Sequence, residues 1–129
     1  MKRILVSVLV PAFMLVGLAV NPAIAQDKAK ATHKATNSVK VLHEDDKVRV
    51  TETTTKPGEM SASVVRGDRV VRILQGGTQE RTYADGKKEK IERKAGQVIV
   101  AGPDKQAYFN TNIGKTTIMT YTVNIKAAK

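Results

Sequence analysis

The sequence predicts an all-β domain, a small sandwich or barrel, on three observations. Short runs rich in β-branched residues recur along the chain. They end at Gly, Pro or Asp-Gly punctuation at the intervals expected of such folds. The one segment of helix-forming composition, Lys87 to Ala95 (KKEKIERKA), alternates instead of repeating at helical spacing, so it too reads as a strand.

The elements follow in order. Lys47–Thr55 (KVRVTETTT) is β-branched, alternates at its start and stops at Lys56-Pro57-Gly58, a turn signal. Arg69–Gly77 (RVVRILQGG) is a second strand closed by a Gly pair. Gln79–Arg93 reads as a hairpin about Asp85-Gly86, because Asp-Gly suits a two-residue type I′ turn. Gly96–Pro103 (GQVIVAGP) is a short, almost wholly apolar strand. Lys115–Lys126 is the clearest strand, with Met119, Tyr121, Val123 and Ile125 on one face and Thr120, Thr122 and Asn124 on the other.

Ahead of these strands lies a different kind of sequence. Met1-Lys2-Arg3, an apolar stretch from Ile4 to Val20 and a small-x-small site at Ala23-Ile24-Ala25 have the layout of a secretory signal peptide. Residues 1–25 are therefore expected to be removed, leaving no membrane-spanning segment and placing the protein in the periplasm. Residues 26–40 (QDKAKATHKATNSVK) are Lys, Ala and Thr with almost nothing to bury, and read as a flexible leader. The domain is expected from Val41 to Lys129.

Composition narrows the function. The chain has no Cys, which excludes a lipid-anchored Cys, thiol catalysis and Cys-ligated zinc. Removing Lys2 and Arg3 with the leader peptide lowers the formal charge from +10 to +8, a field that favours anionic partners. The basic residues are scattered, and the only aromatics beyond residue 25 are Tyr83, Tyr108, Phe109 and Tyr121. Nucleic acid is not expected as a partner, because it needs a basic face interleaved with stacking groups. A homodimer is left open.

The order of glycines resembles the cupin family of small conserved β-barrels. That family's first motif sets two His and a Glu between two glycines. Gly58 and Gly77 fall at the glycine positions, while Val64 and Arg66 stand where the His residues belong and Val70 where the Glu belongs. In the second motif Gly96, Pro103 and Asn112 match, and Lys105 stands in place of a second Gly. Counting back from Asn112 puts Tyr108 at the remaining His position, and a register anchored on Asn110 puts Gln106 there. The resemblance runs from about Val41 to Lys126 and implies a jelly-roll barrel.

It implies no metal. Val64 and Val70 carry no lone pair, Arg66 is a fixed cation, and one phenolate is not a site. His33 and His43 precede the main strands. No metal or other cofactor and no catalytic residue is expected, since neither a nucleophile with its base nor paired acids stand out. The inward positions can instead hold a small anionic ligand, with Arg66 as its cation and Tyr108 or Gln106 hydrogen-bonding to it. Alternatively the valines fill the barrel as core, which small barrels do more often. The expected function is an exported, metal-free, non-enzymatic binding or structural module of the cell envelope. The alternative is a sensor or enzyme that uses Arg66 and Tyr108.

Overall fold

A computed structural model of the protein describes residues 33–128. The expected signal peptide, and the leader as far as Thr32, lie outside the described residues. Eight strands make up the domain: β1 (Ser38–Glu44), β2 (Val48–Thr55), β3 (Arg69–Gln75), β4 (Gly77–Tyr83), β5 (Lys88–Arg93), β6 (Val98–Ala101), β7 (Tyr108–Asn112) and β8 (Ile118–Ile125). They form a five-stranded sheet, β1-β2-β8-β3-β6, and a three-stranded sheet, β5-β4-β7, with every pair antiparallel. No helix occurs among the described residues, and Lys88–Arg93 is a strand as its alternation requires.

Two expectations are corrected. The leader was drawn to Lys40, but β1 begins at Ser38 and the chain is docked from His33 onward. The Thr36 amide donates to the Met60 carbonyl at 2.9 Å and the Met60 amide donates to Thr36 Oγ1 at 2.9 Å. His33 stacks on Phe109 at 3.7 Å between ring centroids. Polar composition hid this, because these contacts are hydrogen bonds and one aromatic stack instead of apolar burial. The hairpin turn is also longer than two residues. The Gly86 amide donates to the Tyr83 carbonyl at 2.9 Å, and only Gly86 has positive φ (88°), whereas a type I′ turn needs it at Asp85 as well.

The motif glycines have a backbone reason. Gly58 and Gly96 sit at φ 83° and 84° in tight turns, a region that side chains with a Cβ avoid. Gly77 marks a close approach, since a Cβ there would lie 2.8 Å from Ile118 Cγ1.

Buried apolar side chains are few: Ile73 (1% exposed), Ile118 (3%) and Tyr108 (4%). Ile73 and Ile118 both face the space between the sheets. Beside them Asn112, 1% exposed, donates from Nδ2 to the carbonyls of Thr55 and Thr116, both at 2.8 Å, and accepts from the Gly114 amide at 3.0 Å. This one side chain ties the end of β7 to the end of β2 and to the turn before β8. The Asn of the second motif is thus a structural tie.

Candidate functional site

Between the sheets lies a cavity of about 840 Å³. Strand alternation decides its chemistry. From the five-stranded sheet β2 turns in Thr51 and Thr53 and β8 turns in Thr120, Thr122 and Asn124. From the three-stranded sheet come Gln79 and Arg81 on β4, Arg93 on β5, and Tyr108 and Asn110 on β7. The expected valine-filled barrel is not what forms. The interior is open, with Val71, Ile73, Ile91, Ile99 and Ile118 beside the threonines, asparagines and arginines.

Tyr108 organises the cavity. The guanidinium groups of Arg66 and Arg81 lie over its ring, 4.4 and 4.0 Å from the centroid, within range of cation–π attraction. Arg69 Nη2 donates to the Tyr108 hydroxyl at 2.8 Å and to Asp104 Oδ1 at 2.9 Å. Asp104 Oδ2 accepts from the Arg66 amide at 2.8 Å, so one carboxylate secures both arginines. Arg66 also donates to the carbonyls of Val64 and Tyr108, each at 3.1 Å, and of Ala62 at 3.0 Å. Arg81 Nε donates to Asn110 Oδ1 at 3.1 Å. Gln79, with its amide oxygen turned to Arg93, accepts from Nε at 3.2 Å.

The charge balance is uneven. Arg69 is paired with Asp104, and Arg49 with Glu44 at 3.2 Å. Among the described residues Arg66, Arg81 and Arg93 have no carboxylate partner. Burial lowers the Arg66 pKa, and burial together with the nearby Arg81 charge lowers that of Arg93. Arginine still remains a cation at neutral pH. Three guanidinium groups therefore share one partly desolvated space in which Glu89 is the nearby carboxylate of Arg93 but pairs with none of them. Such an arrangement costs free energy unless an anion completes it.

Of the residues expected at the site, Val64, Arg66 and Tyr108 come together. Val64 and Tyr108 form a β-bridge, which supports the register that placed Tyr108 at the second motif's His position. Val70 does not join them. Its neighbours Arg69 and Val71 line the cavity, so alternation turns Val70 to the outer face, and the expected count was off by one. Gln106 precedes β7 and lines an adjoining cleft of about 580 Å³ with Lys87, Lys88 and Lys105, which shares Arg81, Glu89 and Tyr108 with the main cavity.

The donor set does not fit a metal ion. Val64, Arg66 and Tyr108 stand at the ligand positions, with further cations around them, and no group of three His, Cys, Asp or Glu side chains converges among the described residues. Arg69, Arg81 and Arg93 escaped sequence reasoning. Each alternates with outward residues in its strand, a signal that becomes readable only when the inward parity is known.

Among solved structures, the chain superposes on a cupin domain from Bordetella pertussis with a TM-score of 0.64 at 20% identity, covering 74% of this chain and 99% of that one. The fold is that of the cupins. A cupin superfamily protein from Desulfitobacterium hafniense matches with a TM-score of 0.55 at 18% identity, over 74% of this chain and 83% of its own. A protein from Acidithiobacillus ferrooxidans, provisionally described as a sugar phosphate isomerase, matches with a TM-score of 0.52 at 16% identity, over 72% of this chain and 61% of that one. No family model matches the sequence, and no curated protein does. On this cupin barrel the motif glycines and Asn112 keep their backbone roles, while the metal-ligand positions hold a valine, an arginine and a tyrosine.

Proposed function

We propose that the protein is an exported, metal-free cupin that binds a small organic anion inside its barrel. The observation that carries this reading is the set of three arginines without an ion-pair partner among the described residues, Arg66, Arg81 and Arg93, around a cavity of about 840 Å³. That volume lies in the usual range for small-molecule sites. A carboxylate or phosphate would accept from Arg81 and Arg93, which make few hydrogen bonds of their own. Thr and Asn side chains on the cavity wall would receive the hydroxyl groups of a polar carbon frame.

Binding in place of catalysis rests on what the surrounding groups already do. Tyr108 accepts from Arg69 at 2.8 Å and is wedged beneath two guanidinium groups, which suits a rigid wall better than a moving acid. Export rests on the arrangement of residues 1–25.

The test is a thermal shift series with paired ligands of equal frame: glucose 6-phosphate and glucuronate against glucose. A ligand bound only by the native state raises Tm by mass action. The two anions should raise Tm and the neutral sugar should not. Equal responses to all three, or none to any anion in a wider set of carboxylates, would contradict the proposal.

A further inference from the structure

The inner face of the three-stranded sheet does not stop where the barrel does. On β5 the inward parity runs Arg93, Ile91, Glu89, all on the cavity wall. The next position of that parity, one residue ahead of the strand, is Lys87, which lines the adjoining cleft. On β4 the same parity runs Gln79, Arg81, Tyr83, and Tyr83 again belongs to the cleft. Arg81 and Glu89 are partners in the β4–β5 register and line both spaces. Cavity and cleft therefore share one floor. The opposite wall of the cleft is the loop before β7, which supplies Pro103, Asp104 and Lys105.

Charge alternates along this floor. Arg93 and Arg81 are cations in the barrel, Glu89 is an anion at the junction, and Lys87 and Lys105 are cations in the cleft. The other charged groups of the cleft are engaged. Lys88, on the outward parity, pairs with Glu80 at 3.3 Å, and Asp104 is held by Arg69 at 2.9 Å. Glu89 accepts from the Tyr83 hydroxyl at 2.9 Å. Among the described residues neither Lys87 nor Lys105 makes an ion pair. A solvated lysine needs no partner. These two differ from a scattered surface charge because they line the approach to a cavity already rich in arginine. A strand rises about 3.4 Å per residue, which sets Lys87 about 7 Å beyond Glu89 along the chain direction of β5. A sugar-sized frame bridges such a gap.

We infer that the ligand carries an anionic group at each end of a hydroxylated carbon frame, one held by Arg81 and Arg93 in the barrel and the other by Lys87 and Lys105 in the cleft. Sugar bisphosphates and aldaric acids have this chemistry. The inference rests on the barrel being an anion site and adds the second charge of its occupant. Glu89 divides the cations into two sites, because a charge at the middle of the frame would meet a like charge there.

Isothermal titration calorimetry on the purified protein tests this with two pairs of ligands, glucose 6-phosphate against glucose 1,6-bisphosphate and gluconate against glucarate. Within each pair the second member adds an anionic group at the other end of the frame. In at least one pair the doubly anionic member should bind about 10-fold more tightly, as one added charge-assisted contact provides. Lys87→Gln combined with Lys105→Gln should erase that advantage and leave the affinity of the singly anionic member within about twofold. Both lysines are exposed, so the fold does not depend on them. Lys56→Gln combined with Lys115→Gln removes the same net charge at exposed positions outside both spaces and should preserve the advantage. Equal affinities within both pairs would overturn the inference and leave the anion site of the barrel standing. An advantage lost equally in the two double variants would overturn it as well, since net charge alone would then account for it. Binding by none of the four ligands would contradict the barrel reading itself, and the inference with it.

Discussion

The hydroxyl of Tyr108 accepts a 2.8 Å hydrogen bond from Arg69 Nη2, which also donates to the carboxylate of Asp104 at 2.9 Å. This chain fixes the tyrosine ring in the plane on which Arg66 and Arg81 rest. A position that in the resemblance would carry a metal-binding His is here the support for two cations.

Tyr108→Phe keeps the ring and removes only the acceptor for Arg69. Hydrogen bonds to charged groups contribute about 1.5–3 kcal/mol, so a loss of about 2 kcal/mol is expected. Tyr108→Leu also removes the surface beneath both guanidinium groups and should cost more. Urea unfolding followed by circular dichroism measures both, and equal losses would show that the ring contributes nothing to holding the arginines.

Asn112→Ala should destabilise the domain by about 2 kcal/mol, because it removes the donors to the carbonyls of Thr55 and Thr116 and leaves the Gly114 amide only its 3.2 Å bond to the Thr78 carbonyl. The same unfolding experiment applies. A loss below about 1 kcal/mol would mean that water replaces the side chain with little penalty.

Asp45 governs the turn between β1 and β2. Its pKa is lowered to about 2, chiefly by the Val48 amide, with the His43 side chain and the Lys47 amide adding to the effect. The folded value lies below the unfolded one, so the ionised form stabilises the fold. That contribution is complete above about pH 4 and is lost as pH falls through about 2. Asp45→Asn should therefore flatten the acid limb of the Tm-against-pH curve between about pH 4 and pH 2. Nuclear magnetic resonance titration of the carboxyl carbon gives the pKa itself, and a midpoint near the free-peptide value would refute the role.

Export makes a chemical prediction. Ala23 and Ala25 supply the small residues a signal peptidase needs, so mass spectrometry of the periplasmic fraction should find a chain that begins at Gln26. A chain retaining Met1 in the membrane fraction would contradict it.

Much of the fold was legible because turns and strands are written locally. The spacing of Gly58, Gly77 and Gly96 marks backbone constraints, and the alternation in β8 survives intact in the structure. Of the cavity lining, Val64, Arg66 and Tyr108 were legible. Val70 missed by one residue, and in a strand one residue reverses the face. Arg69, Arg81 and Arg93 were hidden for a related reason. Amphipathic strands suggest that valines and isoleucines face in, yet in the five-stranded sheet β8 turns Thr120, Thr122 and Asn124 to the interior. Which parity faces the cavity depends on pairing between distant strands, and no single strand records it. Gln106 failed differently, since β7 starts only at Tyr108 and the residues before it belong to a loop.

The central claim is that the arginine-lined cavity holds a small organic anion. The most direct measurement is a nuclear magnetic resonance titration of the arginine Nε–Hε signals with glucose 6-phosphate, repeated on Arg93→Met. An anion held in the barrel should shift the signals of Arg81 and Arg93 together and saturably. In Arg93→Met the affinity should fall about 10-fold or more, as expected when a charge-assisted hydrogen bond is removed. The ligand-free variant should at the same time lose no more than about 1 kcal/mol, since removal of an uncompensated cation offsets the loss of the hydrogen bond to Gln79. Shifts confined to surface groups such as Lys87, Lys88 and Lys105, with Arg81 and Arg93 unmoved, would contradict the claim.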